Sequence, residues 1–241
     1  MNYQSLDESS KYITLLLKGA PGSGKTYKAA EFPAPVIFNF DHNLRSLSKL
    51  SEEVRENIKI IDPCLSEKGT KLPSTKVWDN FLTLLEKVGE DSEVKTIIID
   101  SLTTAQEYLM DKIVNSGEPS VAFKIQDWGT LQRYWKVFAE NVLCNPTLDK
   151  HIVITAHEKT MEEESPSGKS IKYGLNMGGS MRDSFDLYFS DVWRLYVDNS
   201  KGDSRWMVAT VITSSFSAKT SLDIPRAFEW DSKKEEILGK L

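Results

Sequence analysis

Gly19-Ala20-Pro21-Gly22-Ser23-Gly24-Lys25-Thr26, near the start of a 241-residue chain, fits G-x-x-x-x-G-K-[ST] at every fixed position. Its flanks complete the reading. The apolar run Tyr12 to Leu17 before it predicts a buried strand, and Lys25 to Glu31 after it predicts a short helix that Pro33 and Pro35 halt. In such a strand–loop–helix, glycines let the backbone curl until its N–H groups face phosphate oxygens, and the helix N-terminus adds a favourable dipole. Gly19 to Thr26, with the adjoining Tyr27, are therefore expected to contact a nucleotide. Lys25 should reach the β and γ phosphates, and the Thr26 hydroxyl should ligate magnesium.

Outward from the loop, short apolar runs alternate with longer segments of helical periodicity, the pattern of an α/β domain. Val36 to Phe40 runs into Asp41, Ile58 to Ile61 into Asp62-Pro63, Thr96 to Ile99 into Asp100, and His151 to Ala156 into His157-Glu158. All four read as buried strands. Helices are predicted over Lys76 to Val88 with Gly89 as the stop, from Leu102 up to Asn115-Ser116-Gly117, and from a cap at Asp127 through Trp128, Trp135 and Val142. The stretch to about Ser180 is polar; beyond it Val192 to Val197 and Trp206 to Thr213 flank a turn at residues 198–203, which predicts a hairpin. The fold class is thus a mainly parallel central sheet flanked by helices, with a C-terminal antiparallel extension. One domain over residues 12–241 is expected, behind a flexible tail over residues 1–11.

Triphosphate hydrolysis needs a carboxylate beside the metal and a group that orients or deprotonates the attacking water. Asp100, ending Thr-Ile-Ile-Ile-Asp, is the natural metal-side carboxylate, a role compatible with the competing reading as a cap for the helix after Ser101, and Ser101 stands where many ATPases of this class carry a glutamate. The base must then come from another strand. Asp41 is the candidate because parallel strand ends converge on the ligand crevice; the competing reading is a turn aspartate that caps the next segment. His157 and Glu158 end a third strand, where they could sense the γ phosphate or simply mark a strand-to-loop boundary.

The net charge of -5 gives no global basic footprint, so contact with nucleic acid would require a local patch or an oligomer. No apolar run is long enough for a membrane helix and no signal peptide is readable, so a cytoplasmic protein without a membrane partner is expected. Cys64 and Cys144 lack partners at metal-ligand spacing and read as ordinary thiols.

Taken in order, Gly-Ala-Pro-Gly-Ser-Gly-Lys-Thr at 19–26, Phe-Pro-Ala-Pro at 32–35, Asn-Phe-Asp-His-Asn-Leu-Arg-Ser-Leu at 39–47, Ile-Ile-Ile-Asp-Ser at 97–101, Asp-Trp-Gly at 127–129 and Val-Ile-Thr-Ala-His-Glu at 153–158 resemble the RecA-like P-loop ATPase core. The likeness is greatest to small phage-encoded ATPases of single-strand annealing and recombination. The resemblance implies ATP and Mg2+ as cofactors, hydrolysis stimulated by DNA, and Asp41 where RecA itself has its catalytic glutamate. It also implies a DNA-facing mobile loop at about Lys159 to Ser180, and a ring or filament with ATP between subunits, completed in trans by Lys219 or, second, Arg226. Single-stranded DNA, further copies of the chain and a phage single-strand-binding or replication protein are the implied partners. Two other readings stay open: a nucleotide-switched replication or helicase accessory module with weak or no hydrolysis, and a small-molecule P-loop kinase.

Overall fold

The computed structural model describes residues 11–165, 168–179, 181–200 and 202–241. Apart from Lys11, the expected N-terminal tail lies outside them. Among the described residues nine strands form one sheet: β1 (Thr14–Gly19), β2 (Pro35–Asn39), β3 (Lys59–Ile61), β4 (Thr96–Asp100), β5 (His151–Ser165), β6 (Gly168–Leu175), β7 (Asp191–Asp198), β8 (Arg205–Ala209) and β9 (Ala227–Glu229). Their spatial order is β3-β2-β4-β5-β1-β7-β8-β9, with β6 added to β5 outside that path. From β3 through β7 every pairing is parallel; β7–β8, β8–β9 and β5–β6 are antiparallel.

Alternation along the central strands divides the core into two layers, because neighbouring side chains of a strand point to opposite faces. Leu16, Phe38, Ile97, Ile99, Ile152 and Ile154 face one side. There they meet α3 (Ser74–Glu90), α4 (Leu102–Val114) and α5 (Ile125–Phe138), whose Trp78 and Trp135 rings meet edge to face at 5.1 Å. Leu15, Leu17, Ile37, Ile98 and Val153 face the other, against α1 (Lys25–Ala29) and α7 (Trp230–Leu238). A short α2 (Glu52–Glu56) precedes β3, and a short α6 (Met181–Ser184) precedes β7. No helix among the described residues is long and apolar enough to cross a membrane.

Element ends depart from expectation in three places. Helix α3 runs past Gly89 to Glu90, since its Val77, Phe81, Leu85 and Val88 stripe is buried and packing outweighs one glycine. Asp127 does not precede α5; it sits inside the first turn and its carboxylate accepts the Lys124 N–H at 2.7 Å, the reciprocal half of a capping box. The polar stretch after Glu158 is not a loop over its described residues: β5 continues to Ser165 and returns as β6 in an antiparallel hairpin. Exposed charge pairs cross that hairpin, Lys172 with Glu163 at 2.7 Å and Lys169 with Glu164 at 3.5 Å.

Candidate functional site

Strand β1 is central and fully covered, so its last residue delivers the chain at the C-terminal edge of the parallel sheet, where β2 and β4 also end and β5 leaves its parallel pairing. Gly19 is required there: a Cβ would meet the Leu195 carbonyl oxygen at 2.3 Å and the Ser23 hydroxyl at 2.7 Å. Gly22 and Gly24 take φ values of 79° and 87°, the left-handed region that glycine enters without strain, and Gly24 caps α1 in that conformation. The result is a loop wrapped around the helix N-terminus. Beside it opens a cavity of ~500 Å³ whose walls include Lys25, Thr26, Asp41, Asp100 and His157.

The Lys25 ammonium is tethered to the loop by the carbonyl oxygens of Gly19 at 3.0 Å and Ala20 at 3.1 Å. Burial pushes its pKa down, while the negative charges of Asp100 and Asp41 counter the shift. The Thr26 hydroxyl lies 3.0 Å from both oxygens of Asp100, and the buried Thr155 hydroxyl also donates to Asp100. Burial drives the Asp100 carboxyl up from its ordinary value, against those hydrogen bonds and the Lys25 charge. A largely buried carboxylate joined to a hydroxyl is the oxygen donor set a hard divalent ion such as Mg2+ takes, usually keeping several waters of its own. Ser23 adds a further sign of fit, because its buried hydroxyl lacks a protein partner inside the loop. These residues fit a magnesium-bound triphosphate.

His157 joins the remaining polar groups. Its ring lies 3.5 Å from the Lys25 ammonium through Nδ1 and 3.6 Å from Asp41 through Nε2. Asp41 also accepts the Ser101 hydroxyl at 2.8 Å. Although burial alone would raise its pKa, hydrogen bonds from His157, Thr104 and Ser101 prevail and bring Asp41 down to about 2. Ser101, reached through a cis Asp100–Ser101 peptide bond, also caps α4 by accepting the Thr104 N–H at 3.4 Å.

Lys25, Asp41, Asp100 and His157 are thus brought together, as the strand ends predicted. Glu158 is placed elsewhere. Next to His157 on the strand, it points to the opposite face, only 3% of its side chain is exposed, and both carboxylate oxygens take the Arg194 Nε–H at 3.0 Å. Lys219 has an exposed side chain and a backbone paired with Val192 in both directions, outside the cavity wall. Ser101, Thr104 and Thr155 hold the acidic groups yet carry no motif of their own, and Trp206, Lys28 and Asp231 line the cavity from distant parts of the chain. For Trp206 the strand pattern around residues 206–213 was the one available signal. Cys64, without a His or Cys companion at ligand spacing in the sequence, is met in space by His42 as well as by nearby Asp62, with ligand atoms within 4.8 Å of one another.

None of the curated proteins matches the chain. Among solved structures the chain is similar to a KaiC-like protein from the hyperthermophilic archaeon Pyrococcus horikoshii, with 20% identity, 85% of this chain and 84% of that chain covered, and a TM-score of 0.45. The family model described as an AAA domain matches residues 11–222, which include the whole phosphate loop together with Asp41, Asp100 and His157. With the cradle of β1 and α1 in place at its centre, the chain belongs to the AAA domain family.

Proposed function

We propose that this chain is a RecA-like ATPase that binds ATP and Mg2+ in the cradle of β1 and α1, hydrolyses the terminal phosphate, and assembles with further copies on single-stranded DNA. One observation carries the nucleotide part of the reading: a buried lysine, a threonine–aspartate pair and an aspartate–histidine pair from four different segments converge on one cavity at the glycine loop, while assembly on DNA rests on the sequence resemblance. When bound, magnesium supplies positive charge against the phosphate oxygens. Thr26 and Asp100 would hold it, and Lys25, released from the loop carbonyls, would hold the terminal phosphates. Asp41, with a pKa of about 2, is too weak a base to take a proton early. Its role is to orient the attacking water as a fixed acceptor, with His157 beside it placed to hydrogen-bond an oxygen of the terminal phosphate while that group passes to water.

Arg194 occupies Glu158 on the other face, so we assign Glu158 to anchoring the β5–β6 hairpin rather than to the chemistry. Lys219, with Arg226 as the second choice, is exposed and available to a neighbouring copy's site.

ATP turnover measured with and without single-stranded DNA tests the proposal. DNA should stimulate the wild type, and Lys25→Ala should lower turnover by about 100-fold or more. Binding of nucleotide without turnover would instead support the accessory-module reading, which the low basicity of Asp41 favours; phosphate transfer to a nucleoside or sugar would support a kinase. DNA affinity should fall steeply with salt if phosphate contacts carry it. Asp100→Asn should abolish magnesium-dependent ATP binding and yet raise the melting temperature of the metal-free protein. Because burial raises the folded pKa of Asp100 above its unfolded value, the ionised group costs stability once pH exceeds that unfolded value, and a neutral amide relieves the cost.

A further inference from the structure

A second binding element adjoins the phosphate loop. Strand β8 runs antiparallel to β7, so its first residues return to the edge where β1 passes into the glycine loop. Trp206 stands there. Its indole N–H points at the Gly22 carbonyl oxygen at 3.4 Å, and its Cδ1 lies 3.3 Å from the position a Gly24 Cβ would take. Four other tryptophans, Trp78, Trp135, Trp193 and Trp230, are no more than 1% exposed, whereas Trp206 keeps 41% of its surface open. Val208, on the same face of β8, is fully buried. The ring is therefore held out of the core, with one edge against the loop and open surface on the cavity that also bears Lys25 and Thr26.

The cavity wall around it is drawn from two helices. Helix α7 is fastened to the turn that follows α1, where the Trp230 indole donates to Glu31 at 2.6 Å and Lys234 pairs with Glu31 at 2.7 Å. Tyr27 and Asp231, brought by those two helices, line the cavity with Trp206. A flat aromatic face beside a phosphate cradle suits one kind of ligand group: a planar heterocycle joined to a phosphate chain.

We propose that Trp206 is the platform on which the base of the bound nucleoside triphosphate stacks, so that the cavity distinguishes a nucleotide from a bare polyphosphate. The inference rests on the nucleotide-binding reading above. Stacking engages the face shared by all bases, so purine triphosphates should bind with similar affinity.

Calorimetric titration of wild type, Trp206→Ala, Trp206→Phe and Lys25→Ala with ATP and with inorganic tripolyphosphate, both with magnesium, tests it. Wild type should bind ATP more tightly than tripolyphosphate. Trp206→Ala should weaken ATP about tenfold or more while leaving tripolyphosphate within about twofold, and Trp206→Phe should restore most of the loss. Lys25→Ala should weaken both ligands. Equal loss of both ligands in Trp206→Ala would mean that the indole merely props the loop and would overturn the proposal, as would an unchanged ATP affinity. Wild-type binding of neither ligand would overturn the cradle itself and this inference with it. Should Trp206→Ala fail to fold, ATP-induced quenching of tryptophan emission in the wild type, lost in Trp206→Phe, is the expected signature; quenching that persists in Trp206→Phe counts against stacking.

Discussion

Strand β5 serves two regions built on opposite principles. Up to Ala156 it is a buried parallel strand, with Ile152 to Ala156 almost without exposure, and it ends on His157 in the cradle. After Glu158 it leaves the parallel sheet and becomes one arm of a hairpin whose Glu162, Glu163 and Glu164 are exposed. Apart from the Ser23 hydroxyl, the polar groups in the cradle are few, buried or half-buried, and tied to named partners, so each is hard to replace. In the hairpin they are numerous, solvated and paired across the strands, so each contributes little. The junction between the two is Glu158 with Arg194, a largely buried ion pair on the hairpin side whose side chains are only 3% and 13% exposed.

The largest effect that would sharpen this contrast is expected at that junction. The Arg194 guanidinium pairs with Glu158 and lies over the rings of Tyr173 at 4.0 Å and Phe216 at 4.8 Å. Burial pushes the Glu158 pKa up in spite of Arg194 and Lys18, so without Arg194 the carboxylate would be stranded. Arg194→Met should destabilise the protein by about 3–5 kcal/mol, a fall in melting temperature of roughly 10 °C, as read by calorimetry. ATP affinity of the folded fraction should change little. A fall in affinity as large as that of Lys25→Ala would break the comparison, because the two regions would then be one.

A smaller effect is expected in the cradle, at low pH. The folded pKa of Asp41 is about 2, below the 3.8 of an ordinary aspartate, so its hydrogen bonds contribute stability that is present above pH 4 and lost as pH falls towards 2. The contribution is about 2 kcal/mol. Asp41→Asn should therefore lower stability near neutrality and flatten the acid limb of a pH–stability curve recorded by urea unfolding. An unchanged acid limb would show that His157 and Ser101 do not hold the carboxylate as described.

The same contrast explains what was legible in the sequence. The cradle could be read because its parts are local: a glycine pattern between a strand and a helix, and carboxylates or a histidine at the ends of apolar runs. Sequence could not supply the hydroxyls of Ser101 and Thr155 as partners of Asp41 and Asp100, since those contacts exist only after β2, β4 and β5 lie side by side. Nor could it supply Trp206, which reaches the loop only because β8 turns back on β7. The hairpin was hidden for a different reason. Glu162-Glu163-Glu164 opposite Lys169-Ser170-Ile171 has no apolar face to announce a strand, and the backbone pairing that joins the two arms leaves no periodic signal in the sequence.

That absence of an apolar face sets the smallest expected effect. Lys169 reaches Glu164 at 3.5 Å and Glu162 at 3.8 Å, but all three side chains are at least two-thirds exposed, so water and salt screen the attraction and the long side chains lose freedom in making it. Lys169→Ala should shift the melting temperature by less than about 1 °C in the free protein. If single-stranded DNA lies along the hairpin, the same substitution should weaken DNA binding and reduce the slope of affinity against salt, because a cation near phosphate releases counterions that a cation near glutamate does not. Loss of DNA affinity without loss of stability would place the nucleic acid on β5 and β6; a large loss of stability with no change in DNA binding would mean that the charge pairs hold the hairpin together and that DNA contacts another face.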